Sequence, residues 1–185
     1  MPVSPQPPRR SGAGESAPVY EVQKRTAFGM LHLRRYRCDA DPACFGGLAP
    51  VVRLWQGKRR GEGLPCWRDF AMADFVGWHR NVALSDLGTD GDPRFRLFGS
   101  GMAEVMGRDL TGRCLSESFP SAGPDGVLAH FDAIRRERLI GLLAGNVGKA
   151  GHEHRIFKVV ELPLGNDAGE VGQVLHACIS QSGRE

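Results

Sequence analysis

Few residues in this sequence have both the type and the spacing for chemistry. His152, Glu153 and His154 place two imidazoles at i and i+2. On a strand these share one face and could chelate a transition metal if further ligands converged. No Cys, Asp or Glu is placed by sequence to complete the set, so an edge-strand triplet is the favoured reading, and no metal is expected. Cys38 and Cys44, with His32, lack any recognised zinc spacing. The chain has no G-x-S-x-G, P-loop, H-E-x-x-H or dinucleotide fingerprint. An enzyme is therefore not expected. Arg34, Arg35, Arg37, Arg53, Lys58, Arg59 and Arg60 form a basic run able to contact phosphates, although a solvated charged face is the commoner origin of such runs.

That basic run is local. Residues 1–61 hold eleven Lys and Arg against four Asp and Glu, a net +7, whereas residues 62–185 carry a net −4. A uniformly basic nucleic-acid binder is disfavoured by this split, and nucleic acid is not the expected partner. The 185 residues, 41% hydrophobic and 24% charged, suit one domain with extensions. The least polar stretch, Leu139 to Gly148, is far short of the ~20 apolar residues of a membrane span. Five cysteines without a C-x-x-C pair suit reduced thiols, and the expected location is cytoplasmic.

The elements that must position any site follow from periodicity. Residues 1–18 are rich in Pro, Ser, Gly and Arg and are expected to be disordered, with Met30 an alternative start to Met1. Val19 to Leu33 reads as a short helix, followed by a charged, turn-rich connection; residues 1–46 together make a disordered or weakly ordered basic extension. Leu48, Val51, Val52 and Trp55 then form one apolar stripe of a helix over 48–60. Asn81 to Leu87 and Arg94 to Gly99 read as antiparallel strands joined by a Gly/Asp/Pro turn. Short helices follow around Met102 to Met106 and Leu115 to Phe119, and a longer one runs from Pro124 to Arg136. Leu139–Val147, Glu153–Leu164 and Val171–Gln181 close the chain as strands.

Strands with helices segregated between them indicate an α+β domain on an antiparallel sheet. Leu175, Ala177 and Ile179 point to one face, and Val174 and Cys178 to the other, so the sheet needs cover on both sides. The inserted helices are expected on one face, with the 48–60 helix or a second subunit on the other.

The wording of the chain resembles a family. The Leu54-Trp55 helix with its Gly57-Lys58-Arg59-Arg60 end, the Leu64-Pro65 link, Arg94-Phe95-Arg96-Leu97-Phe98-Gly99, Gly107-Arg108-Asp109-Leu110-Thr111-Gly112 and Glu161-Leu162-Pro163-Leu164 are similar to a single-PAS-domain family found mainly in alphaproteobacteria. Phe75-Val76-Gly77-Trp78-His79-Arg80 departs from its usual Leu/Pro-rich wording. The resemblance implies a PAS-like five-stranded antiparallel sheet with inserted short helices and an N-terminal amphipathic helix, over residues 47–181, with 182–185 a tail. It also implies a cavity between the sheet and the short helices, lined by Phe98, Met102, Val105, Met106, Leu110, Phe119, Phe131 and Ile134, which equally suits a filled core. His130 lies on the helix where haem-binding PAS domains carry their axial ligand. At ~100° per residue it sits about 80° from the centre of the apolar stripe, so a surface or boundary histidine is expected. The flavin-binding word of light-sensing PAS domains is missing, and the cofactor remains open. The implied function is a stand-alone sensory or regulatory module, binding a small ligand or a protein partner and signalling through dimer or partner contacts. The alternative is a nucleic-acid or anionic-surface adaptor using the basic N-terminal region.

Overall fold

The computed structural model describes residues 17–26, 29–119, 126–146 and 155–182. Residues 1–16 of the 1–18 segment expected to be disordered, and the His152-Glu153-His154 triplet, lie outside them. The strands are β1 (Tyr20–Thr26), β2 (Gly29–Tyr36), β3 (Val82–Leu87), β4 (Pro93–Phe98), β5 (Ile140–Asn146), β6 (Arg155–Gly165) and β7 (Val171–Ser182). The helices are α1 (Ala49–Lys58), α2 (Ser100–Met106), α3 (Leu115–Ser118) and α4 (Val127–Glu137), with short 3₁₀ turns around Pro42–Leu48 and between Trp67 and Asn81. One antiparallel sheet runs in the order β1-β2-β5-β6-β7-β3-β4.

Five of these strands, β3 to β7, are those expected from the sequence. The other two correct it: Tyr20–Thr26 and Gly29–Tyr36 pair as antiparallel strands that extend the sheet beyond β5, where a helix and a weakly ordered connection were expected. The physical reason is a period of two. Leu31 and Leu33 are buried on one face while His32 and Arg34 alternate with them. Cross-strand pairing reinforces the register, since Glu21 faces Arg34 with a 2.6 Å ion pair and the Arg35 guanidinium stacks 3.7 Å from the centre of the facing Tyr20 ring.

The predicted helix over 48–60 is present as α1. Pro50 sits in its first turn, and Arg59 ends it in an extended conformation. Val51, Val52 and Trp55 are fully buried and pack with Leu84, Val160, Leu162, Leu164, Leu175 and Ala177 from the sheet. The Trp55 indole N–H donates to the Pro163 carbonyl at 3.0 Å, which satisfies the one polar atom that this side chain brings into the core. One sheet face is thus covered by the chain's own helix, and the second subunit considered for that role is not needed there.

The opposite face packs against α2, α3 and α4. α2 stops at Gly107, whose φ of 74° is the left-handed conformation that ends a helix at least cost to glycine. α4 carries Val127, Phe131 and Ile134 inward, as its spacing predicts, and its expected start at Pro124 lies outside the described residues.

Candidate ligand cavity

The inner sheet face is set by alternation along β6 and β7. Val159 and Glu161 point inward from β6, and Val174, His176 and Cys178 from β7, with Glu161 directly opposite His176 across the strand pair. Gly141 of β5 faces Glu161 from the other side. Two polar side chains therefore lie side by side on an otherwise apolar surface, and both are buried.

Each has one protein partner. The His130 Nε2–H of α4 donates to Glu161 Oε2 at 2.7 Å, and His176 Nε2 is 2.8 Å from Ser85 Oγ. His130 Nδ1 is buried without a hydrogen-bond partner. Close approach of α4 to the sheet depends on Gly141. A Cβ there would lie 2.5 Å from Ile134 Cδ1 and 2.8 Å from His130 Nε2, and would collide with Glu161 Oε2. Burial pushes His176 down from its usual value to about 3, so its imidazole is neutral at physiological pH.

Between this surface and the helices lies a partly open cavity of about 60 Å³, lined chiefly by Phe95, Phe98, Met102, Leu110, Phe131 and Leu143, with Glu161 and His176 as its polar groups. Met106, Leu115, Phe119, Val127 and Val159 complete the wall. Among the residues expected to line it, Phe98, Met102, Met106, Leu110, Phe119 and Phe131 are brought together around this space. Val105 and Ile134 pack in the surrounding core instead. His130 corrects the expectation of a surface or boundary residue: it is buried and reaches the cavity wall through Glu161. The stripe centre misplaced it because a long side chain at the margin of a helical face can turn inward to a buried partner.

Glu161 and His176 were not singled out from sequence. The signal was a carboxylate and an imidazole embedded in the apolar runs Val159-Val160-Glu161-Leu162 and Val174-Leu175-His176-Ala177-Cys178, at inward-pointing positions. The Gly107 to Gly112 word forms the adjoining wall. Asp109 accepts from the Thr111 amide at 2.8 Å and hydroxyl at 2.7 Å, which holds its carboxyl below the usual range, while Leu110 is buried inward. Arg108 stacks 4.9 Å from the centre of the Phe119 ring.

The PAS domain family matches residues 47–179, most of the chain. The chain belongs to the PAS domain family. The matched region takes in β3, β4, the helices between β4 and β5, β5, β6 and β7 up to Ile179, and the β1–β2 hairpin precedes it. Among solved structures, this PAS domain is similar to a protein described as an RNA-binding light-oxygen-voltage receptor. The two are 12% identical with a TM-score of 0.45, over 62% of this chain and 35% of that one. The chain thus spans about a third of that receptor's length. No curated protein matches it.

The residues present do not fit a haem. His130 Nε2 is already hydrogen-bonded to Glu161, and about 60 Å³ is far below the ~300–1,000 Å³ of pockets for larger ligands. No cluster of three or more His, Cys, Asp or Glu suited to a metal occurs among the described residues. No helix among them is long and apolar enough to cross a membrane. Cys178, in the inner core, has its thiol pushed up to about 12 by burial, so it offers no thiolate at neutral pH.

The basic run is largely occupied by internal contacts. Arg34 and Arg35 pair across the β1–β2 hairpin, Lys58 forms a 2.8 Å ion pair with Asp74, and Arg59 donates to the Cys38 carbonyl at 3.1 Å and the Gly63 carbonyl at 3.2 Å. Arg37, Arg53 and Arg60 are exposed.

Proposed function

We propose that this PAS domain is a sensory module that binds a small molecule in the inner cavity and passes occupancy to the α1 side of the sheet. The observation that carries the reading is an apolar cavity with a buried carboxylate and a buried imidazole on its wall. The module is a binding protein and not an enzyme in this reading.

A contiguous route supports the coupling. Glu161 holds His130 on α4. The helix ends at Arg138, which adopts a left-handed φ of 55°. The Arg138 carbonyl accepts from the Cys38 thiol at 2.9 Å, and the Cys38 carbonyl accepts from Gln56 at 3.1 Å and Arg59 of the α1 cap at 3.1 Å. A ligand that re-aims Glu161 thereby biases both α4 and α1, and through them a protein partner or second copy. The basic run supports a phosphate-binding surface less well, because Arg34, Arg35, Lys58 and Arg59 are engaged within the chain.

The test is a thermal-shift titration with small compounds, alongside a visible absorption spectrum and native mass of the freshly purified protein. A binder present at about a hundred times its Kd adds about 2.7 kcal/mol and should raise Tm by about 5–10 °C. Leu143→Phe, which fills the cavity, should abolish that rise. A chain that stays blank in the spectrum, carries no added mass and responds to no compound contradicts the reading.

A further inference from the structure

Resting on this reading of the cavity, we infer that its ligand is a small organic cation, an alkylammonium of a few heavy atoms. The class follows from the wall. Its one acidic group is Glu161; no Lys or Arg lines the space, and His176, whose Nε2 is bonded to Ser85, adds no charge there. An anion would meet the carboxylate with no Lys or Arg to receive it, since His130 is already bonded to Oε2. A purely apolar ligand would leave the carboxylate desolvated and half-paired, at a cost.

His130 engages only Oε2, which orients the carboxyl group and leaves Oε1 available to an incoming N–H. Phenylalanine rings supply the rest of a cation site. Phe95 and Phe98 meet edge-to-face at 5.0 Å, Phe131 also lines the cavity, and the faces of such rings attract an ammonium group. Size follows from volume. A cavity of about 150 Å³ holds benzene. At about 60 Å³ this one holds roughly two or three heavy atoms, the size of ethylammonium.

Ethylammonium chloride, ethanol and sodium acetate, titrated separately into the full chain, test the inference by Tm and by nuclear Overhauser contacts to the Met102 methyl. The expected result is a saturable Tm rise with ethylammonium alone and contacts from its methyl group to Met102. In Glu161→Gln, which keeps size and acceptor but removes the charge, affinity should fall by about tenfold or more. If that variant does not fold, the Met102 contacts in the unaltered protein decide the matter. Ethanol binding as well as ethylammonium, with Glu161→Gln indifferent, overturns the cation and leaves the small-molecule cavity standing. Failure of all three probes to touch Met102 overturns the cation, and failure of the wider compound screen would then remove the cavity reading as well.

Discussion

The two faces of one sheet are built on opposite principles. On the α1 side Val160, Leu162, Leu175 and Ala177 meet Val51, Val52 and Trp55, and the hydrogen bond from Trp55 to Pro163 satisfies the indole. On the α4 side the alternate residues of the same strands include Glu161 and His176, the packing leaves about 60 Å³ open, and His130 Nδ1 is unpaired. Strand alternation lets one segment serve both, because successive side chains never share a face. The difference teaches that tight apolar packing and polar, incompletely filled space are separated by parity within β6 and β7. The filled face holds the fold, and the proposed ligand response belongs to the other.

Trp55→Ala should give the largest effect. It removes the largest fully buried side chain of the dry face and leaves the Pro163 carbonyl unpaired, at about 3–5 kcal/mol, measured by urea unfolding. Probe affinity in the inner cavity should fall only through the Cys38 route, and so by less than the stability; an affinity loss as large as the stability loss would break the comparison, and no change at all would contradict the coupling. Gly141→Ala should cost about 1–3 kcal/mol by overpacking, and it should weaken probe binding more than Trp55→Ala does, because the new methyl group displaces Glu161 and His130 directly.

A smaller effect per pH unit separates the faces by titration. His176 is depressed to about 3 in the fold, so between about pH 6.5 and 3 the unfolded chain binds a proton that the native chain does not. Stability is therefore fully present above about pH 6.5 and declines below it, by up to about 1.4 kcal/mol per pH unit. His176→Gln should flatten that decline in urea unfolding at pH 7.5, 6 and 5, and an unchanged slope would contradict the burial of a neutral imidazole. Smallest of all, Arg34→Ala removes a half-exposed ion pair and should cost less than about 1 kcal/mol in the same assay.

Much of this arrangement is legible in the residues. The stripe Leu48, Val51, Val52, Trp55 announces α1, and the five strands from Val82 onward follow from apolar runs bounded by Gly, Asp and Pro. The cavity-lining Phe98, Met102, Met106 and Phe131 come from helical spacing and the family resemblance together. The β1–β2 hairpin was missed because its alternation is short and crowded with charge, and the long-range pairing of Leu31 and Leu33 with β5 decides it. Local sequence carries no such information. His130 was missed for a related reason: the partner that draws it inward, Glu161, is remote in the chain and contributed by a strand. Glu161 and His176 were visible as polar residues at inward positions, but a cavity beside them is a property of volume that no spacing encodes.

The most direct measurement is a carbon-13 methyl spectrum of methionine-labelled protein under xenon pressure, since xenon enters apolar cavities. Met102 and Met106 line the inner cavity, whereas Met72 is exposed beside the α1-side core. Saturable shifts at Met102 and Met106 with Met72 unmoved are predicted. No saturable shift at Met102 or Met106, or an equal response at Met72, would contradict the division of the molecule into one filled face and one that holds an open cavity.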